Sequence, residues 1–155
     1  MHVPTTGAVA SVLVSVAVAG LVQSSPRQDI SWQADLQIRT LEVTRSRGGI
    51  SVRVVVYTEH EDEARDVRLL VLLPVGVGIQ RLAEGCAGTV TPSMPPALRA
   101  TVTCELGSMM NRKFHEVNLT TTLPPDRSRR RLGVFAYSGT PDPVPGNNYA
   151  ERAIP

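Results

Sequence analysis

From Trp32 onward, apolar and polar residues alternate with period two through most of the chain. Trp32, Ala34, Leu36 and Ile38 alternate with Gln33, Asp35, Gln37 and Arg39. In a strand this pattern turns one face to a core and the other to water, whereas a helical period of 3.6 would scatter the same residues around the axis. The phase slips at Thr40, after which Leu41 and Val43 continue the alternation. A one-residue slip is what a β-bulge, or a first strand that switches sheets, produces.

The same period recurs downstream. Ile50, Val52, Val54 and Val56 oppose Ser51, Arg53 and Tyr57, after a Gly48-Gly49 turn. Val67, Leu69, Val71 and Leu73 form another set, and Leu70 and Leu72 make the second face of this strand apolar too. Ile79 and Leu82 suggest a short strand before Gly85-Cys86. Ala100, Val102, Cys104 and Leu106 alternate, as do Val117, Leu119 and Thr121, and then Leu132, Val134 and Ala136. Pro92, Pro95 and Pro96 fall in a loop, since proline cannot donate to a sheet ladder. Tyr149 to Ile154 reads as a last strand. About seven or eight short strands separated by turns, with neither a helical pattern nor an internal repeat, predict an all-β antiparallel sandwich.

The stretch before that last strand, Ser138 to Asn148, holds Pro141, Asp142, Pro143, Pro145, Gly146, Asn147 and Asn148. The prolines fix backbone angles and withhold donors, and Gly146-Asn147 tolerates positive φ. It reads as an ordered closing loop whose asparagines satisfy turn backbone groups, and not as a frayed tail. Its removal is expected to unfold the domain.

Gly7 to Val22 is an uncharged run of small and apolar residues, about 16 long and so short of the roughly 20 that span a bilayer. Ala17-Val18-Ala19 fits a cleavage site, although no Lys or Arg precedes the run. Residues 1–22 are read as a signal peptide, with an uncleaved anchor as the alternative. Residues 23–33 are then a linker and the start of the first strand, and residues 34–155 the sandwich. The two cysteines, Cys86 and Cys104, suit export as a disulfide closing a short loop; a pair of buried free thiols is the alternative in a cytosolic domain.

Several phrases then fall in a particular order. "ADLQIR" opens the domain at Ala34, and "VRVVVYTEHEDEARDVRLLVLLPVGV" follows with its L-P-x-G-V ending. "GCAGTV" and "ATVTCELGSM" flank a proline-rich loop. "FHEVNLTTTLP" and "YSGTPDPVPGNNYA" close the series. The chain from Ala34 to about Ala153 resembles the bacterial extracellular immunoglobulin-like modules catalogued as domain of unknown function 11, and the related bacterial cell-adhesion-related domains. The resemblance implies an immunoglobulin-like sandwich, secreted or displayed at the cell surface or envelope, with a structural or adhesive, protein-binding role and no catalytic residues. Two loops depart from the family pattern: the acidic "EHEDEARD" and the basic "DRSRRR".

Those loops supply the candidate sites. Glu59, Glu61, Asp62 and Glu63 are weak candidates for Ca²⁺, lacking EF-hand spacing and glycine, and a solvated turn is the plainer reading. Arg127, Arg129, Arg130 and Arg131 concentrate positive charge that suits an anionic partner or simply a soluble turn. Without interleaved aromatics, and with a net charge of only +2, nucleic acid is not an expected partner. His115-Glu116 lacks the second histidine of a zinc-protease motif, and no G-x-S-x-G elbow is present. The expectation is a non-enzymatic module without cofactor, binding a protein or an envelope polymer. It touches a membrane only through an uncleaved N-terminus, and a membrane-tethered accessory subunit is the alternative.

Overall fold

The computed structural model describes residues 33–59, 62–89, 100–110, 112–124 and 131–155. The segment 1–22 read as a signal peptide and Trp32 lie outside them. Among the described residues nine strands form two antiparallel sheets: β1 (Leu36–Ser46), β2 (Gly49–Thr58), β3 (Ala64–Leu72), β4 (Ile79–Arg81), β5 (Cys86–Thr89), β6 (Thr101–Met109), β7 (Phe114–Thr121), β8 (Arg131–Tyr137) and β9 (Tyr149–Ala153). The smaller sheet has the order β1-β2-β7-β4 and the larger β5-β6-β3-β8-β9. In immunoglobulin lettering, β1, β2 and β7 take the places of A, B and E, and β3, β8 and β9 those of C, F and G. The fold is an immunoglobulin-like antiparallel β-sandwich. No described helix is long and apolar enough to cross a membrane.

The alternation explains the core. Val52, Val54 and Val56 of β2, with Val117 and Leu119 of β7, face Leu69 and Val71 of β3 and Leu132, Val134 and Ala136 of β8. All are buried, and none carries a polar side-chain atom that would need a partner. The cavity left by Leu69→Ala would cost about 2–5 kcal/mol.

The slip near Thr40 is a bulge. Ile38 pairs with Val56 and Thr40 with Val55, so Arg39 is the extra residue. That insertion keeps Leu36 and Leu41 on the same buried side. It also throws Arg39 outward, where its guanidinium lies 4.5 Å from the centroid of the Tyr57 ring. A second irregularity bends the start of β3, where Asp66 takes φ 52° and Gly107 of the facing strand φ 71°.

The closing loop connects β8 to β9, which pairs with β8 at the edge of the sheet. Its internal chemistry differs from the expectation. Gly146 and Asn147 do not use positive φ; with Pro145 and Asn148 they form one 3₁₀ turn, for which Pro145 pre-sets the first φ. The asparagine side chains bind carboxylates instead of turn backbone. Asn147 Nδ2 donates to Asp35 Oδ1 at 2.8 Å, and the buried Asn148 donates to Asp142 Oδ2 at 2.9 Å. Asp142 also accepts from the Leu36 N–H at 3.0 Å and the Val144 N–H at 2.7 Å. One carboxylate therefore joins the first strand to the last loop.

Candidate functional site

The two outer faces of the sandwich differ in chemistry. On the five-stranded sheet, β8 sends Leu132, Val134 and Ala136 inward, so Phe135 and Tyr137 must point out. Their rings stack with centroids 5.9 Å apart. Phe135 pairs with Leu70 of β3 on one side and Tyr149 of β9 on the other. Phe135 is 37% exposed and Tyr149 50%, and Leu70 and Leu72 are half-buried on the same face. Gly133 belongs to this design: a Cβ there would lie 3.3 Å from the Tyr149 hydroxyl and 3.4 Å from its ring, so the glycine gives that ring a bed.

Strands β6 and β5 continue the face with small residues. Thr103 pairs with Leu70 and with Ala87, and Thr101 with Leu72. The face is therefore raised over β8 and β9, where the aromatics stand, and lower over β6 and β5. Two ion pairs frame it, Arg68 with Glu105 at 3.5 Å and Arg131 with Glu151 at 3.2 Å.

The four-stranded sheet presents charge at its centre, with Phe114, 69% exposed, beside Tyr57 at one end. Arg53 on β2 meets Glu42 of β1 at 3.2 Å and Glu116 of β7 at 2.8 Å, and Asn118 also donates to Glu116 at 2.9 Å. The hydrogen bonds from Arg53 and then Asn118 hold the Glu116 carboxyl below the usual carboxylate range. The same Glu116 contact, and then Glu42, raise Arg53 further above its already high value. A groove of about 450 Å³ lies alongside, lined by Ser51, Arg81, Glu84, Glu116, Asn118 and Thr120 among others.

Of the sequence candidates, the structure joins Cys86 and Cys104 in a disulfide, between directly paired residues of β5 and β6. It does not cross between sheets; it staples the edge strand of the five-stranded sheet. The Cys86 N–H goes to the Ala83 carbonyl at 3.2 Å, so the bridge also anchors the turn leading into β5. Gly88 lets β5 pass close to Ile79 of β4, since a Cβ there would collide with the Ile79 side chain.

The acidic loop is distributed among separate partners. Glu59 accepts from Gln37, Asp62 takes the Gln33 N–H at 3.1 Å, and Glu63 pairs with Arg65 at 3.1 Å. Among the described residues no group of three His, Cys, Asp or Glu is gathered for a metal. Glu61 lies outside the described residues, as do Arg127, Arg129 and Arg130. Arg131 begins β8 and is committed to Glu151. The Pro141 carbonyl accepts the Ala34 N–H at 3.1 Å, and Pro143 is exposed between the two anchored parts of the loop.

The outer aromatic face is the feature that residue-by-residue reading passed over. Its signal was present in Leu70 and Leu72, and in the phase of Phe135 and Tyr137 against Leu132, Val134 and Ala136.

No family model matches the chain, and no curated protein matches it. Among solved structures, it is similar to a cohesin module from a Clostridium perfringens family 33 glycoside hydrolase, at 10% identity and a TM-score of 0.37, covering 79% of this chain and 96% of that one. It is also similar to AvmM, described as catalysing macrocyclisation in alchivemycin A biosynthesis, at 10% identity and a TM-score of 0.32, covering 74% and 86%. Likenesses at this level assign neither family nor function.

Proposed function

We propose that this chain is a non-enzymatic binding module of the secreted or cell-envelope kind, and that it binds protein through the outer face of its five-stranded sheet. The observation that carries the reading is the exposure of Phe135 and Tyr149 beside Leu70 and Leu72, on a face framed by ion pairs. Aromatic residues with a polar rim are the composition of protein-binding patches. The Cys86–Cys104 bridge supports an oxidising compartment. The apolar run at 7–22 and the resemblance to bacterial extracellular modules support export and an adhesive or structural role. A membrane-tethered accessory subunit differs only in the fate of that run. N-terminal sequencing of the exported protein separates the two: a mature start near Gly20 supports secretion, and an intact Met1 in the membrane fraction supports the tether.

The binding reading is tested by capture from envelope extracts with paired variants. Phe135→Lys and Tyr149→Ala are expected to lose captured protein, while Arg53→Ala on the opposite sheet retains it. Equal capture by all three contradicts the reading.

A further inference from the structure

We infer that the protein on this face is a second copy of the same chain, packed sheet to sheet about a two-fold axis that runs along the seam between β3 and β8. The inference rests on the binding reading above and names its partner. Three observations carry it.

The first is relief. Outward side chains on one side of the seam are bulky, Phe135, Tyr137 and Tyr149, and beyond β3 on the other side they are small, Thr101, Thr103 and Ala87. A two-fold axis along the seam lays β3 of one copy over β8 of the other, and β6 over β9. Tyr149 on β9 of each copy then lies over the small Thr103 on β6 of its mate, while Phe135 and Tyr137 of β8 meet β3. A self-complementary patch of this kind is what an isologous dimer requires.

The second is register. Arg68, Leu70 and Leu72 pair across the seam with Tyr137, Phe135 and Gly133. The axis preserves these levels, so each residue meets in the second copy the same type it borders in its own. Leu70 lies on Phe135, and Arg68 lies on the Tyr137 ring, a favourable cation–π contact. An axis along β3 itself would instead set Arg68 against Arg68, and like charges placed opposite each other repel.

The third is charge and size. Arg68 and Arg131 balance Glu105 and Glu151, so the face is neutral and suits a neutral surface like itself. Four strands overlap about that axis, β6, β3, β8 and β9; at about 4.8 Å spacing, over about six residues of length, they give a patch near ~19 Å by ~20 Å. That is at the small end of specific interfaces, so the dimer is weak and reversible.

The test is sedimentation velocity of the purified full chain across a concentration series. Wild type is expected to pass from monomer to dimer. Leu70→Glu and Phe135→Lys, each folded by circular dichroism, are expected to weaken the dimer more than about tenfold on their own. Mixed in equal amounts they are expected to associate again. In the mixed dimer the carboxylate introduced at position 70 of one copy meets the ammonium introduced at position 135 of the other, and the second contact remains Leu70 against Phe135. Should a seam variant fail to fold, Thr103→Glu mixed with Tyr149→Lys replaces the pair; these two positions are separated by β3 and β8 within one chain and meet only across the dimer. A wild type that stays monomeric, single variants that still dimerise, or a mixture that fails to re-associate overturns the inference. If the monomeric wild type still captures envelope protein and Phe135→Lys does not, the binding reading stands and only the second copy is refuted. If Phe135→Lys captures as well as wild type, the binding reading falls too.

Discussion

The two outer faces are built from the same alternation, yet the charged centre of one is closed on itself, with Phe114 exposed at its end, and the centre of the other is open. On the four-stranded sheet the charges at its centre have neighbours: Arg53 is gripped by Glu42 and Glu116, and Arg39 covers Tyr57. On the five-stranded sheet the ion pairs stand only at the margins, and the middle is Leu70, Phe135 and Tyr149. A polar face satisfies its groups with water or within its own sheet, at little net gain. An apolar face leaves a free energy of burial unused, and that is what a partner can draw on. The contrast separates a face that only shields the core from one that can also join the molecule to something else.

The largest effect that sharpens this comparison should come from the disulfide, which belongs to the five-stranded sheet alone, on its core side. Cys86→Ala with Cys104→Ala is expected to destabilise the domain by about 3 kcal/mol, as the chain-entropy model gives for a loop of this length. Hydrogen exchange should quicken first at β5, with β1, β2 and β7 following only global unfolding. Exchange rising equally in both sheets would show that the bridge does not act on one sheet.

Asp142→Ala comes next. It removes the acceptor of the Leu36 and Val144 N–H groups and leaves the buried Asn148 amide without its partner. A loss of about 2–3 kcal/mol in chemical denaturation is expected. Because this loop leads into the strand that carries Tyr149, binding through the open face should weaken although no residue of that face is altered.

Phe135→Lys should cost less than about 1 kcal/mol of stability, since the ring is only partly buried, while weakening association more than about tenfold. Arg53→Ala should leave association intact. The reverse pattern would exchange the roles of the two faces.

The smallest effect is expected on the polar face and depends on pH. The folded state holds Glu116 below its ordinary carboxylate range. Its contribution is therefore present above the unfolded value and lost as pH falls through the folded one. Glu116→Gln should slightly flatten the acid side of a melting-temperature profile and leave its shape near neutrality unchanged. A steeper acid limb in the variant would contradict the sign.

Local sequence carried much of this architecture. The slip at Thr40 marked the Arg39 bulge, the cysteine pair marked the staple, and the prolines marked an ordered connection to β9. Each is a short-range consequence of backbone geometry or covalent chemistry. The partners of Asn147 and Asn148 were not legible, because Asp35 lies 112 residues from Asn147 and no local rule names it. The open face was legible only in fragments. Period two shows that Phe135 and Leu70 each point away from a core, but not that β8 lies between β3 and β9 and gathers them.

The central claim is that the outer face of the five-stranded sheet is where this molecule meets its own copy. Amide chemical shifts followed by NMR during dilution test it most directly. The account predicts concentration-dependent shifts at Leu70, Thr103, Phe135, Tyr137 and Tyr149, with Arg53 and Glu116 unmoved. Shifts centred on β2 and β7, or none at any concentration, would contradict it.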